Sequence, residues 1–116
     1  MLVKHALFLA DELKAKCVIV FTHTGSLAKM VAGFKPNQNV FAFTPYPEII
    51  NLMRILFGIQ GMKMKQRADH TTENQEIALQ MLLEQGLVSS GDKIVIIADK
   101  KRGEKTDPLI RVTIVE

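Results

Sequence analysis

The sequence predicts an α/β domain, a three-layer α/β/α sandwich with a sheet of about five strands. Amphipathic helical segments alternate along the chain with short apolar runs, the order that produces parallel strands joined by right-handed crossovers. Several of these runs are continuously apolar, which is typical of strands covered on both faces. The last connection lacks helical periodicity, so the final strand should return antiparallel at a sheet edge.

In the first part of the chain, apolar residues at helical spacing predict a helix over residues 3–13. The run Cys17–Phe21 predicts a buried strand, and a turn of threonine and glycine residues follows it. Apolar residues at helical spacing then predict a second helix over residues 27–34. We expect Gly33 and Pro36 to end that helix.

Residues 40–43 predict a second buried strand, and Pro45 and Pro47 bracket the start of a third helix over residues 48–57. A short third strand is predicted within residues 59–64. The third helix is apolar around much of its circumference, more than packing on one side of a sheet requires. It is therefore either a deeply buried helix end or a contact with another subunit or domain.

Thr72 and Gln75 have the spacing of a capping box ahead of a fourth helix, which Gly86 should end. The predicted buried face of this helix comprises Ile77, Ala78, Met81 and Leu82. Residues 93–98 predict a strand, and residues 109–115 predict the last one. The segment between them, residues 99–108, contains Gly103 and Pro108 and has little apolar periodicity, so it is a poor candidate for a crossover helix.

Composition excludes several classes of protein. The chain has 116 residues, enough for one domain over residues 1–116, with 47% hydrophobic and 23% charged residues. Lys and Arg number 15 against 12 Asp and Glu, and they are spread along the chain, so no nucleic-acid partner is expected. No membrane span or signal peptide is predicted. The single cysteine, Cys17, precludes an internal disulfide and indicates a reducing, cytoplasmic location.

No constellation of acid, base and nucleophile can be assembled from this sequence, so we expect no catalytic residues. The three histidines, His5, His23 and His70, have no ligand spacing and no cysteine pair nearby. We therefore expect neither a metal site nor a cofactor.

The turn after the first strand is a candidate anion site. A helix N-terminus presents free backbone N–H groups and a positive dipole end, and the hydroxyls of Thr22, Thr24 and Ser26 add donors. Gly25 would let the backbone approach a phosphate closely. The same residues fit a simpler role equally well, in which Thr24 or Ser26 caps the helix and Gly25 makes the turn.

Three segments together resemble the C-terminal α/β domain of pyruvate kinase. The first, CVIVFTHTGSLAKMVAGFKPNQNVFAFT, is similar to the family's strand, Thr-x-Ser-Gly turn, helix and second strand. The second, LLEQGLVSSGDKIVIIAD, resembles a Gly-Leu-Val-x-x-Gly-Asp motif that leads into a strand. The third, LIRVTIVE, resembles the family's last strand. Their order and spacing carry the resemblance, which spans nearly the whole chain.

The resemblance implies a regulatory and oligomerisation domain. In the family, phosphoryl transfer from phosphoenolpyruvate to ADP occurs in a separate (β/α)8 barrel, whose motifs are not present in this sequence. The C-terminal domain contributes subunit contacts and, in many members, an allosteric pocket for a sugar phosphate such as fructose 1,6-bisphosphate. As partners we therefore expect a phosphate or sugar-phosphate effector, and either a homo-oligomer or a pyruvate kinase barrel domain.

The resemblance assigns the family's phosphate-loop positions to Thr22, Thr24 and Gly25, with His23 where members often have Lys or Glu. Ser26 departs from the pattern, because the family usually has Arg or Lys there. Together, residues 22–26 form the predicted phosphate loop.

Residues 99–105 align with the family's flexible effector loop, although the usual Pro-Gly-x-x-x-Thr-Asn run is missing. Lys101 and Arg102 could clamp a second phosphate there, or the segment could be a solvated charged loop. The alternative to a pyruvate kinase module is a stand-alone protein of the same fold. It would bind a phosphorylated metabolite and lack pyruvate kinase activity.

Overall fold

The computed structural model of the chain describes residues 2–22, 26–57, 59–63, 71–102 and 105–115. The helices within these ranges are α1 (Leu2–Leu13), α2 (Ser26–Gly33), α3 (Pro47–Leu52), a π-helical turn (Met53–Phe57) and α4 (Thr71–Glu84). The strands are β1 (Cys17–Phe21), β2 (Asn39–Thr44), β3 (Gln60–Lys63), β4 (Lys93–Arg102) and β5 (Lys105–Ile114).

The five strands form one sheet in the order β3-β2-β1-β4-β5. All neighbouring pairs are parallel except β4 and β5, which are antiparallel. The predicted α/β fold is therefore confirmed, including the antiparallel last strand at an edge. A short connection forces this return, because a parallel crossover needs a dozen or more residues.

Helices cover both faces of the sheet, which explains the continuously apolar strands. Residues of α1, α2 and the π-helical turn pack on one face, against Val18 and Val20 of β1 and Val95 and Ile97 of β4. On the other face, α4 packs against the alternate residues of the same strands. Every residue of β1 is buried as a result.

The loop predicted at residues 99–105 is wrong where the structure describes it, because residues 99–102 and Lys105 continue the antiparallel β4–β5 pair. Pairing extends from Lys93↔Ile114 to Arg102↔Lys105. Strand β1 pairs only with residues 94–98 of β4. The outer part of the hairpin is therefore a two-stranded ribbon beyond the end of β1. Backbone pairing sustains this ribbon despite its charged residues, whose low β-propensity hid it in the sequence.

Helix α2 ends at Gly33, as predicted. The residue with a left-handed backbone after it is Lys35, with φ of 48°. The amide N–H groups of Phe34 and Lys35 donate to the carbonyls of Val31 and Ala32, which tightens the final turn. A glycine was expected in this position because side chains rarely adopt positive φ.

The third helix is regular only as far as Leu52, after which the π-helical turn follows. Pro47 stands in the first turn of α3, as predicted. Strand β3 runs close beneath the helix at Gly61, where an added Cβ would come within 3.0 Å of Ile50 Cγ2. The glycine therefore permits the close approach of helix and strand.

The fourth helix begins at Thr71, so Thr72 lies inside it and does not cap it as predicted. Gln75, the other member of the predicted box, accepts a hydrogen bond from Arg111 instead. Ile77 was predicted to be buried but is 45% exposed, whereas Ala78 and Leu82 are fully buried. The fully buried positions of α4 are four residues apart. Its buried stripe is therefore narrower than the apolar pattern of the sequence indicated.

Gly86 ends α4 as predicted, through a Schellman motif. Its φ is +72°, its N–H donates to Leu83 O, and the Leu87 N–H donates to Leu82 O. Both interactions require the left-handed conformation that glycine adopts without strain.

We expect Gly86→Ala to lower the free energy of unfolding by about 1–2 kcal/mol, because a Cβ strains the left-handed conformation. Urea unfolding followed by circular dichroism measures the change. The matched control is Gly33→Ala, where a Cβ meets no atom within 4 Å and φ is not positive. That substitution should be neutral or stabilising by up to about 1 kcal/mol. Equal destabilisation by the two variants would contradict the assignment.

Candidate functional site

The carboxyl ends of β1 and β4 lie side by side, with Phe21 paired to Ala98. From β1 the chain passes to α2 and then to β2 on one side, whereas β4 turns into β5 on the other side. This divergence is a topological switch point, the place in open α/β sheets where ligands generally bind. The predicted phosphate loop follows β1 at this point.

Thr22 is the one predicted loop residue whose side-chain burial is described. It is 2% exposed, and its backbone N–H donates to Phe43 O at 3.0 Å. That amide is therefore committed to the sheet and is not available to an anion. Thr44, at the end of β2 on the same edge, is fully buried and accepts a hydrogen bond from the Tyr46 N–H at 3.3 Å.

The predicted site residues His23, Thr24 and Gly25 lie outside the described residues. Helix α2 begins at Ser26, so that residue belongs to its first turn. Both roles foreseen for the turn, anion cradle and helix cap, stay predictions.

Lys101 and Arg102 lie in the ribbon of β4, where they were expected in a loop. They pair with Thr106 and Lys105 of β5. The ribbon leaves the sheet at the same edge as the predicted phosphate loop and extends four residues beyond Ala98, or about 13 Å at the usual rise of a strand.

A contact between α4 and β5 was missed in the sequence. Arg111 Nη1 donates to Gln75 Oε1 at 3.1 Å, across 36 residues of chain. The predicted capping box was the only signal that Gln75 had a polar role. The contact joins α4 to the edge strand β5.

Two cavities lie at the opposite, amino edge of the sheet, and neither was predicted. One of about 340 Å³ lies between the end of α1 and the starts of β1 and β4. The other, of about 310 Å³, lies between the end of α2 and the starts of β2 and β3. Between them, the Asp11 carboxylate accepts hydrogen bonds from the side chains of Asn37 and Gln38. In the sequence, only the charged residues that flank the apolar strands indicated that this edge is polar.

Cys17 is buried in β1, and burial raises the pKa of its thiol to about 12. The charge of Asp92 raises this pKa further, and the charge of Lys16 opposes the shift. The thiol is therefore protonated and unreactive at neutral pH. Within the described ranges, no three His, Cys, Asp or Glu residues are grouped as metal ligands, and no helix is long and apolar enough to cross a membrane.

We expect native Cys17 to react with iodoacetamide at pH 8.5 at least about tenfold more slowly than in the urea-unfolded chain, because the thiolate is the reactive form. Mass spectrometry measures both rates. A control chain with Cys17→Ala and Lys29→Cys carries an exposed thiol and should react rapidly when folded.

The same pKa shift predicts a pH dependence. The pKa of the Cys17 thiol in the folded chain lies above the ordinary value of 9.0. The contribution of the protonated thiol to the free energy of unfolding is therefore intact below pH 9 and is lost as the pH rises towards 12. Equal alkylation rates of Cys17 in the folded and unfolded chains would contradict the raised pKa of this thiol.

Comparison with known proteins gives a consistent result. Residues 1–113 match the family described as pyruvate kinase, alpha/beta domain. A chloroplastic pyruvate kinase isozyme G of Ricinus communis is 32% identical over 93 residues, which cover 80% of this chain and 22% of that protein. A pyruvate kinase of Lactobacillus delbrueckii subsp. bulgaricus is 29% identical over 107 residues, covering 91% and 18% respectively.

The fold is also similar to a solved structure, Cryptosporidium parvum pyruvate kinase in complex with ADP. The TM-score is 0.85 at 24% identity, and the match covers 98% of this chain and 23% of that one. This likeness concerns the fold alone. The chain spans about a fifth of the length of the relatives that it matches.

Proposed function

The chain belongs to the family of pyruvate kinase alpha/beta domains, and we propose that it acts as an effector-binding and subunit-contact module. The proposal assigns no catalytic step to residues 1–116. Phosphoryl transfer from phosphoenolpyruvate to ADP belongs, on this proposal, to the barrel that the family resemblance implies. The buried, reduced Cys17 accords with a cytoplasmic location.

The observation that carries the effector proposal is the meeting of three elements at one sheet edge. The end of β1, the start of α2 and the ribbon of β4 and β5 all adjoin the topological switch point. The proposed ligand is a phosphate or sugar phosphate. Residues 22–26 would hold one phosphate, and Lys101 or Arg102 would contact a second.

All these elements lie within the chain, which also favours a second candidate function. A stand-alone protein of this fold could bind a phosphorylated metabolite without any barrel. The two candidates share one ligand site and differ in what the site controls. The mass of the native polypeptide in its source cells distinguishes them: a band far above 13.0 kDa indicates a pyruvate kinase, and one at that size indicates a stand-alone relative.

We expect phosphate and fructose 1,6-bisphosphate at millimolar concentration to shift the amide resonances of residues 22–26 saturably, because a bound anion polarises nearby N–H groups. The bisphosphate should also shift residues 100–102. Two-dimensional NMR of the labelled chain measures both effects.

The variant Lys101→Gln/Arg102→Gln should weaken bisphosphate binding by about tenfold and leave phosphate binding nearly unchanged. The control Lys4→Gln/Lys29→Gln removes the same charge from exposed helical positions and should affect neither ligand. If residues 22–26 do not respond to either compound, the effector proposal is wrong.

The proposed subunit contact lies on α3 and the π-helical turn. Ile49 and Ile50 are partly buried against the core and Met53 is fully buried. Leu52 and Ile55 are 41% and 78% exposed on the same short segment. A buried helix end would leave neither side chain so accessible to water. Large exposed apolar residues on one element are typical of a contact with another subunit or domain.

We expect the chain to self-associate through this segment, and Ile55→Lys to weaken association at least about tenfold, because it places a charge in an apolar contact. Sedimentation equilibrium measures the change. Ile77→Lys is the matched control, since Ile77 is also an exposed isoleucine but lies on α4. A strictly monomeric chain at high concentration would contradict self-association and would leave a barrel domain as the partner to test.

A further inference from the structure

The cavity beneath the end of α1 has a strongly basic lining. It has a volume of about 340 Å³ and lies at the amino edge of the sheet, opposite the proposed effector site. The described residues that line it are Leu13, Lys14, Lys16, Gly91, Asp92 and Lys93. Three of these six residues carry an ammonium group and one carries a carboxylate.

Two of the lysines are direct neighbours at the starts of adjacent strands. The pairing of Cys17 with Ile94 places Lys16 opposite Lys93, and the Lys16 N–H donates to Lys93 O at 2.8 Å. Their strand positions alternate with Cys17 and Ile94, so both belong to the sheet face that α1 covers. Like charges on neighbouring strands repel each other unless an anion lies between them.

The third lysine is held at the cavity by the end of α1. Lys14 has φ of 53°, and its N–H donates to Asp11 O while the Ala15 N–H donates to Ala10 O. This is the left-handed position that ends a helix, where glycine is usual. A lysine there costs conformational energy that a glycine would not. The turn adds a third ammonium group to the lining of the cavity.

The negative charges near the cavity do not neutralise its three lysines. The Asp92 carboxylate is partly engaged, because its Oδ2 accepts a hydrogen bond from the Ser89 N–H at 2.8 Å. The C-terminus of α1 contributes roughly half a negative charge. Three ammonium groups exceed these contributions, so the cavity remains positive.

We propose that this cavity binds a small anion bearing phosphate groups, at a site separate from the effector site proposed above. The pocket is open and its lysines are exposed, so a small anion could reach all three ammonium groups. Lysine ammonium groups act on phosphate as point charges, and an anion among them would relieve their mutual repulsion. The simpler role of the lysines is to complement the dipole at the end of α1, which accounts for Lys14 and leaves the Lys16 and Lys93 pair unexplained.

Pyrophosphate is a suitable probe. Titrated into the labelled full chain at constant ionic strength, it should shift the amides of residues 14–16 and 91–93 saturably, with a dissociation constant in the millimolar range. The variant Lys16→Gln/Lys93→Gln should weaken this binding at least about tenfold. Its thermal midpoint without ligand should equal or exceed that of the parent chain, because a like-charge pair has been removed.

The control Lys29→Gln/Lys63→Gln lowers the net charge equally at exposed positions that do not line the cavity, and should bind as the parent does. Linear, unsaturable shifts overturn the proposal, and so does an equal loss of binding in the control. Saturable shifts confined to residues 22–26 would support the effector site and overturn this one. Binding of poly-glutamate without binding of pyrophosphate would indicate an acidic peptide partner and also overturn it.

Discussion

The burial of β1 on both faces is the constraint on which the rest of the structure depends. This strand is central, with β2 on one side and β4 on the other, and all five of its residues are buried. A strand covered on both faces needs helices above and below the sheet. The arrangement of α1, α2 and α3 on one face and α4 on the other follows from this requirement. It also explains why Cys17 is an inert packing residue.

The position of β1 also separates the two edges of the sheet chemically. At the carboxyl edge, the chain diverges from β1 and β4 in opposite directions, which is where ligands generally bind in open α/β sheets. At the amino edge, the strands begin from polar connections, and Lys16 and Lys93 are brought together by register. The two proposed anion positions therefore lie at opposite edges of the sheet, and backbone topology sets the place of each.

The same topology would place the proposed ligand site and the proposed subunit contact on different parts of the domain. The proposed contact segment lies over β3, at the far side of the sheet from the β4–β5 ribbon. Gly61 lets α3 come close to β3, so the buried side of the segment is held firmly while Leu52 and Ile55 stay exposed. A family module that is about a fifth of its relatives' length can in this way combine a ligand site and a contact surface on different elements.

The sequence by itself determined the order of helices and strands, the parallel sheet and the antiparallel last strand. These depend on local patterns, such as the apolar run of β1 and the glycine that ends α4. It did not determine the charged ribbon, whose pairing depends on backbone hydrogen bonds between two strands and not on the character of either one. Nor did it predict that Lys35 would adopt positive φ or that Ile77 would be exposed. The neighbours that set these features are distant in the chain.

For the candidate site, the sequence determined the position of the loop after β1 and the presence of nearby cations. Only the tertiary structure decided that Thr22 has its amide committed to Phe43, and that Lys101 and Arg102 occupy adjacent strand positions. Only the structure brought Lys14, Lys16 and Lys93 to one cavity. Residues 77 positions apart become neighbours through strand register, which no local pattern encodes, because register is set by packing of the whole sheet.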